Sequence, residues 1–163
     1  MPRPPDVLVR PLISGDRGWV RETMVRNWSS TTVARRGELI QTTDLPGYVA
    51  LLGGRRTGVV LVDVRGNEFE IVAVTTSRRR KGVGRALVEQ CVLEARRREC
   101  RRVWLVTTNN NIAAIAFYQR LGMDLCAFRR YAVRAARLLK PSIPLRDGAG
   151  VPIDHELELL LDA

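Results

Sequence analysis

The segment Arg78-Arg79-Arg80-Lys81-Gly82-Val83-Gly84-Arg85-Ala86-Leu87 concentrates five cations and two closely spaced glycines where a helical pattern begins. Glycines let a backbone approach an anion closely, and the unpaired amides of a helix start, aided by the helix dipole, stabilise a phosphate there. The spacing is neither G-x-x-x-x-G-K-[ST] nor G-x-G-x-x-G, so it is not a nucleotide-triphosphate loop or a dinucleotide fingerprint. A solvated basic connection is the other reading of the same residues. Upstream, Glu68 and Glu70 lie two apart on one expected strand and therefore on one face of it. Downstream, Tyr118 offers a phenol that stays protonated at neutral pH. The only histidine, His155, reads as a loop residue. Cys91, Cys100 and Cys126 are odd in number and lack C-x-x-C spacing, so neither a zinc site nor a disulfide framework is expected.

The elements that must position these groups follow from periodicity. Val7 to Leu12 alternates as a strand, Ser14 to Asp16 offers caps for a helix to about Trp28, and Ser29 to Gly37 reads as a loop or short helix. Three β-rich runs, Gly47 to Leu52, Thr57 to Val64 and Glu68 to Thr75, are separated by Gly53-Gly54 and Gly66-Asn67, which predicts an antiparallel meander. From Gly82 the apolar period becomes helical and runs to near Cys100. Val103 to Thr107 is a strand, Asn111 opens a helix through Leu121 that Gly122 ends, and Met123 to Phe128 is another strand. Ala132 to Leu139 reads as a helix, followed by Pro141, Pro144 and a turn at Arg146 to Gly150. The final strand, Glu156 to Leu161, alternates Glu and Leu as though one face were wet. Hairpins followed by strand, helix, strand units predict a mixed α/β sheet, parallel around residues 68 to 107.

With 163 residues and 45% hydrophobic composition, the chain has the size of one domain, here residues 6–163 behind a disordered lead of residues 1–5. Prolines break the opening MPRPPDVLVRPL where a secretory signal needs an apolar run, and no stretch is long enough to span a bilayer, so a cytoplasmic protein without membrane contact is expected. A net charge of +10 attracts anions, although 25 arginines against two lysines, Lys81 and Lys140, equally fit a GC-rich genome.

Two motifs in order carry a resemblance. Arg79-x-x-Gly82-x-Gly84 resembles the Q/R-x-x-G-x-G/A loop of the GNAT superfamily of N-acetyltransferases, which holds the pyrophosphate of acyl-CoA. Asn111-x-x-Ala114-x-x-Phe117-Tyr118-x-x-x-Gly122-Met123 resembles its N-x-x-A-x-x-[FL]-Y-x-x-x-G-F segment, with methionine replacing the usual aromatic. The resemblance covers residues 57 to 128 well and the first 50 in layout only. It implies a splayed mixed sheet flanked by helices, with acetyl-CoA as co-substrate and no metal. Val72, Ala73 and Val74 would pair with the pantetheine arm, and the amides of Arg79, Arg80, Lys81, Gly82, Val83 and Gly84 would hold the pyrophosphate, with Arg85 adding charge. Asn111 would bond the pantetheine, Ala114 and Phe117 belong to the same cofactor-contacting set, and Tyr118 would place its hydroxyl near the thioester sulfur. Arg80 stands where many relatives have glycine.

The implied reaction sets requirements of its own. An aliphatic amine is mostly protonated at pH 7, and freeing its lone pair costs roughly 4–5 kcal/mol. Glu70, or else Glu68, is the base candidate, an amide near Val74 the oxyanion donor, and Tyr118 the acid for the departing thiolate. A solvated strand carboxylate and a packed aromatic are the structural alternatives. Trp28, Arg35, Arg36 and Tyr48 are candidates for the acceptor wall. The acceptor would be a primary amine of a small molecule or a protein, and the last strand could pair with a second copy. A noncatalytic acyl-CoA sensor and a basic nucleic-acid-binding module are the competing classes.

Overall fold

A computed structural model describes residues 6–77 and 82–163, so Arg79, Arg80 and Lys81 lie outside the described residues. In chain order the elements are β1 (Val7–Pro11), a 3-10 turn (Ser14–Asp16), α1 (Arg17–Trp28), β2 (Thr32–Arg35), β3 (Glu38–Gln41), β4 (Gly47–Leu52), β5 (Arg55–Arg65) and β6 (Glu68–Thr76). There follow α2 (Val83–Arg97), β7 (Arg102–Thr108), α3 (Ile112–Arg120), β8 (Asp124–Arg129), α4 (Ala132–Leu139) and β9 (Glu156–Asp162). The fold is mixed α/β. Its described residues group into two compact units. The first takes in residues up to Thr31, Gln41–Val103 and Asp162–Ala163; the second takes in Thr32–Ile40 and Trp104–Leu161.

In the first unit β1, β4, β5 and β6 are neighbours in that order, each pair antiparallel, which is the expected meander with β1 added at its edge. Gly53 and Gly54 both adopt positive φ, 58° and 77°, as a two-residue hairpin turn between right-twisted strands requires. Helix α2 buries Val83, Ala86, Leu87, Val88, Cys91 and Ala95, a helical stripe that packs on β1, β4, β5 and β6. Asp16, fully buried, fastens the start of α1. It accepts from Arg10 at 2.7 Å, from Arg56 at 2.9 Å and from the Ile13 amide at 2.9 Å. That ring of donors, Arg10 foremost, holds its carboxyl well below the usual range.

In the second unit β9 lies between β7 and β8, and β8 and β9 are antiparallel. Two expectations fail here. The stretch from Ser29 to Gly37 contains β2, paired with β3 across a turn in which Arg36 and Gly37 both have positive φ, 49° and 76°. Four residues are too few to show a period, so the turn was the only legible signal. The carboxylate face of β9 is not wet. Glu156 and Glu158 are 2% and 7% exposed, because arginines rather than water solvate them. Arg129 reaches Glu156 at 3.3 Å and Glu158 at 3.4 Å, Arg36 reaches Glu158 at 3.6 Å, and the Arg36 amide donates to Glu156 at 3.0 Å. Lys140, its pKa lowered by burial, donates to the Thr32 carbonyl at 2.7 Å and fixes the other end of β2.

Candidate active site

The candidate residues of the first unit are arranged on and around β6. Strand β5 runs without irregularity from Gly58 to Arg65 and serves as a ruler: Ala73 sits opposite Leu61 and Ile71 opposite Val62, leaving Val72 as an extra residue. This β-bulge resets the parity of β6, since opposed residues share a face. Glu68 and Glu70, opposite Arg65 and Asp63, therefore lie on the same face as Ala73 and Thr75, opposite Leu61 and Val59. Val74 and Thr76, opposite Val60 and Gly58, point to the other face, where α2 lies. Strict alternation would have put Glu70 and Val74 together. A bulge also turns a main-chain amide out of the ladder, the type of donor an oxyanion needs.

The two carboxylates separate clearly. Glu68 is committed to Arg102 at 2.5 Å and Arg101 at 3.3 Å. Glu70 is 3% exposed. On its face, Trp28 at the end of α1 donates from Nε1 to Thr75 Oγ1 at 3.1 Å, while 37% of the tryptophan remains exposed. The Thr23 hydroxyl of α1 is buried and has no hydrogen-bond partner among the described residues. Tyr48 lies apart from this group. It is opposite Val60 and faces Gln90, Cys91 and Glu94 of α2, where burial raises its pKa. It is a packing residue beneath α2 rather than a companion of Trp28.

Gly82 has φ 74°, a left-handed conformation that glycine takes at no steric cost, and α2 begins at Val83 with no side chain among the described residues capping it. The amides of Val83, Gly84 and Arg85 thus lack intrahelical partners, which is the donor set a pyrophosphate needs. Arg85 itself is held by Glu89 at 2.7 Å on the helix surface.

In the second unit, Asn111 precedes α3 and donates from Nδ2 to Thr107 Oγ1 at 3.2 Å. Ala114 and Phe117 are half-buried on α3, and Tyr118 is buried, its ring edge-on to Phe117 at 5.2 Å. Gly122, with φ 93°, ends the turn after α3, and the Met123 amide returns to the Tyr118 carbonyl at 3.1 Å. Arg35 and Arg36 lie over the Trp104 ring at 5.5 and 4.8 Å, and Arg35 also meets Glu38 at 3.4 Å.

A glycine-led helix start after a bulged strand, with N-x-x-A-x-x-F-Y on a later helix, coincides with a family model for the GNAT acetyltransferases that matches residues 17–123. The chain belongs to that family. Among its relatives, the uncharacterized protein YdhI of Bacillus subtilis is 33% identical over 133 residues, covering 81% of this chain and 83% of YdhI. The ribosomal protein bS18-alanine N-acetyltransferase of Escherichia coli is 39% identical over a shorter stretch, 36% of this chain and 40% of that protein. A GNAT acetyltransferase of Elizabethkingia anophelis, solved with acetyl-CoA bound, has the same fold with a TM-score of 0.71 at 12% identity, covering 98% of this chain and 99% of its own. No helix among the described residues is long and apolar enough to cross a membrane.

Within this GNAT chain, sequence reasoning overlooked three contributors. Thr75 positions Trp28, and its signal was no more than a hydroxyl on the expected strand. Trp104 receives Arg35 and Arg36, and reads in sequence as one more apolar residue of a strand. Gly58 has no motif around it, yet it sets how closely α2 lies on β5.

Proposed function

We propose that this chain, with residues 6–163 acting as one domain, transfers an acetyl group from acetyl-CoA to a primary amine by direct attack in a ternary complex. The observation that carries the reading is the Gly82-led start of α2, with φ 74° and free first-turn amides among the described residues, following a bulged β6 that carries a buried Glu70. Acetyl-CoA supplies an activated carbonyl and a thiolate leaving group. The Gly82 to Gly84 amides bind its pyrophosphate, and the resemblance extends that cradle to Arg79, Arg80 and Lys81. The main chain at Val72, Ala73 and Val74 orients the pantetheine and donates to the developing oxyanion. Asn111 holds the amide of the arm, beside Ala114 and Phe117.

Glu70, directly or through water, takes the ammonium proton, leaving the nitrogen lone pair to form the C–N bond as the C–S bond breaks. Tyr118 gives its proton to the departing sulfur and regains one as the new amide nitrogen sheds its second proton, directly or through water, while Glu70 releases the ammonium proton to solvent. Glu68 is a strand carboxylate occupied by Arg101 and Arg102, not the base. Trp28 lines the acceptor's approach on Glu70's face. Arg35 and Arg36 are held for an acceptor with anionic or aromatic parts. The test is thiol release from acetyl-CoA with a pooled set of amines. Release that depends on an added amine supports transfer, whereas tight acetyl-CoA binding without turnover on any amine would make the protein a sensor.

A further inference from the structure

Phe128 is a large apolar side chain left 59% exposed at the end of β8. It does not stand alone. Its ring centroid is 5.2 Å from that of His155, and His155 is 5.0 Å from Tyr131, so three rings form a row on the second unit's surface. The row is fixed: the Tyr131 amide donates to His155 Nδ1 at 2.8 Å, which holds the imidazole between the other two rings. Two guanidiniums lie over Tyr131, those of Arg130 at 4.6 Å and Arg134 at 3.8 Å. Arg134 shares its charge with Asp154 at 3.3 Å. Arg130 is exposed, and among the described residues no carboxylate pairs with it; its one hydrogen bond is to the Tyr131 hydroxyl at 3.1 Å.

We propose that this row is a binding surface for a single-stranded nucleic acid, with a base stacked on Phe128 and the adjoining phosphate on Arg130. Exposed aromatic faces beside arginines are the two components that single-stranded nucleic acids need, because every base has a stackable face and every linkage a charge. An acidic peptide would use the arginine and leave Phe128 in water, and a bilayer would require a broader apolar face than Phe128 and the 45%-exposed Leu125 of the same strand offer. Rings already locked in place lose little entropy when a base settles on them. The protein's charge of +10 adds long-range attraction to the short-range fit. The surface uses no residue of the acetyl-transfer reading and does not depend on it.

The experiment uses the full chain and a fluorescein-labelled, mixed-sequence single-stranded oligoribonucleotide, followed by anisotropy across a salt series. Saturable binding is expected, stronger than to the same sequence as a duplex. Phe128→Ser should weaken it by about fivefold or more, the least that loss of one stacked base costs. Arg130→Ala should lower the slope of log affinity against log salt by about 0.7, one phosphate contact on a single strand. Arg97→Ala on α2 is the control for net charge and should leave the Phe128-dependent part intact. Circular dichroism and amine-dependent thiol release report the folding and activity of each variant separately. The proposal is overturned if Phe128→Ser and Arg130→Ala bind like the parent, if duplex binds as well as single strand, or if only anionic vesicles or acidic peptides are retained.

Discussion

Gly58→Ala tests whether the proposed pyrophosphate cradle is set by the close approach of α2 to β5. A Cβ at residue 58 would meet Val83 Cγ1 at 2.7 Å, Leu87 Cδ1 at 3.1 Å and the Thr75 carbonyl oxygen at 3.2 Å. Carbon atoms prefer about 3.5–4.0 Å, so the first contact is short by about 0.8–1.3 Å. Val83 is β-branched, 1% exposed and the first residue of α2, and Leu87, one turn on, is fully buried. Neither can swing aside, and the third contact is main chain, so the helix start must move off the strand. Overpacking of this kind costs about 1–3 kcal/mol, or roughly 2–12 °C in melting temperature for a domain of this size. Because the amides at issue belong to Val83, Gly84 and Arg85, the same displacement should weaken CoA and acetyl-CoA alike, by about tenfold. Thermal unfolding reads the first effect and titration calorimetry with both ligands the second. A variant that melts lower but binds CoA like the parent would show that the cradle does not rest on this contact. One that loses neither would refute the packing argument itself.

Other perturbations separate the remaining roles. Tyr118→Phe should lower single-turnover rates by about 100-fold while acetyl-CoA affinity changes little, since the hydroxyl acts as charge develops on sulfur; equal rates would leave Tyr118 a packing residue. Glu70→Gln should depress the rate most near neutrality and recover toward about pH 9–10, where free amine is abundant, whereas Glu68→Gln should keep the parent's profile; the reverse pattern would exchange their roles. Asp16→Asn should cost about 2–3 kcal/mol, because the arginines it leaves behind are part-exposed and can be rehydrated. Its folded pKa is depressed, so its contribution is present above its unfolded value of about 3.9 and is lost as pH falls below it; a parent protein whose acid unfolding matches that of the variant would contradict this. Thr23→Val, removing a buried hydroxyl without a partner, should leave the melting temperature unchanged or raised.

The meander and the two helix starts were readable because each carries a local signal: paired glycines where the backbone must turn left-handed, and a change of apolar period at Gly82. The hairpin of β2 and β3 was not, since Thr32-Val33-Ala34-Arg35 is shorter than a detectable period and what stabilises it is distant in sequence, the Glu156 carboxylate on the Arg36 amide and Lys140 on the Thr32 carbonyl. The site divides in the same way. That Glu68 and Glu70 share a face follows from spacing alone, but the choice between them depends on burial and on Arg101 and Arg102, more than thirty residues away. The bulge at Val72 is invisible in Glu-Ile-Val-Ala-Val, because any of those residues can occupy either face until β5 fixes the register.

The arginine excess has a structural use that composition hides. Asp16 is bracketed by Arg10 and Arg56, Glu68 by Arg101 and Arg102, Glu94 by Arg97 and Arg98, and Glu158 by Arg36 and Arg129. Four carboxylates thus engage eight guanidiniums, and the bracketing holds Glu94 at a pKa of about 2, Arg97 being the chief cause. A carboxylate has lone pairs for two forks, so burial beside two arginines solvates it where one would leave acceptors unfilled. A chain that repeats this arrangement becomes basic without any polyanion to bind. Net charge therefore cannot identify a partner, whereas the placement of single charges can: Arg130, exposed against a ring and without a carboxylate among the described residues, differs from the eight that the fold already employs.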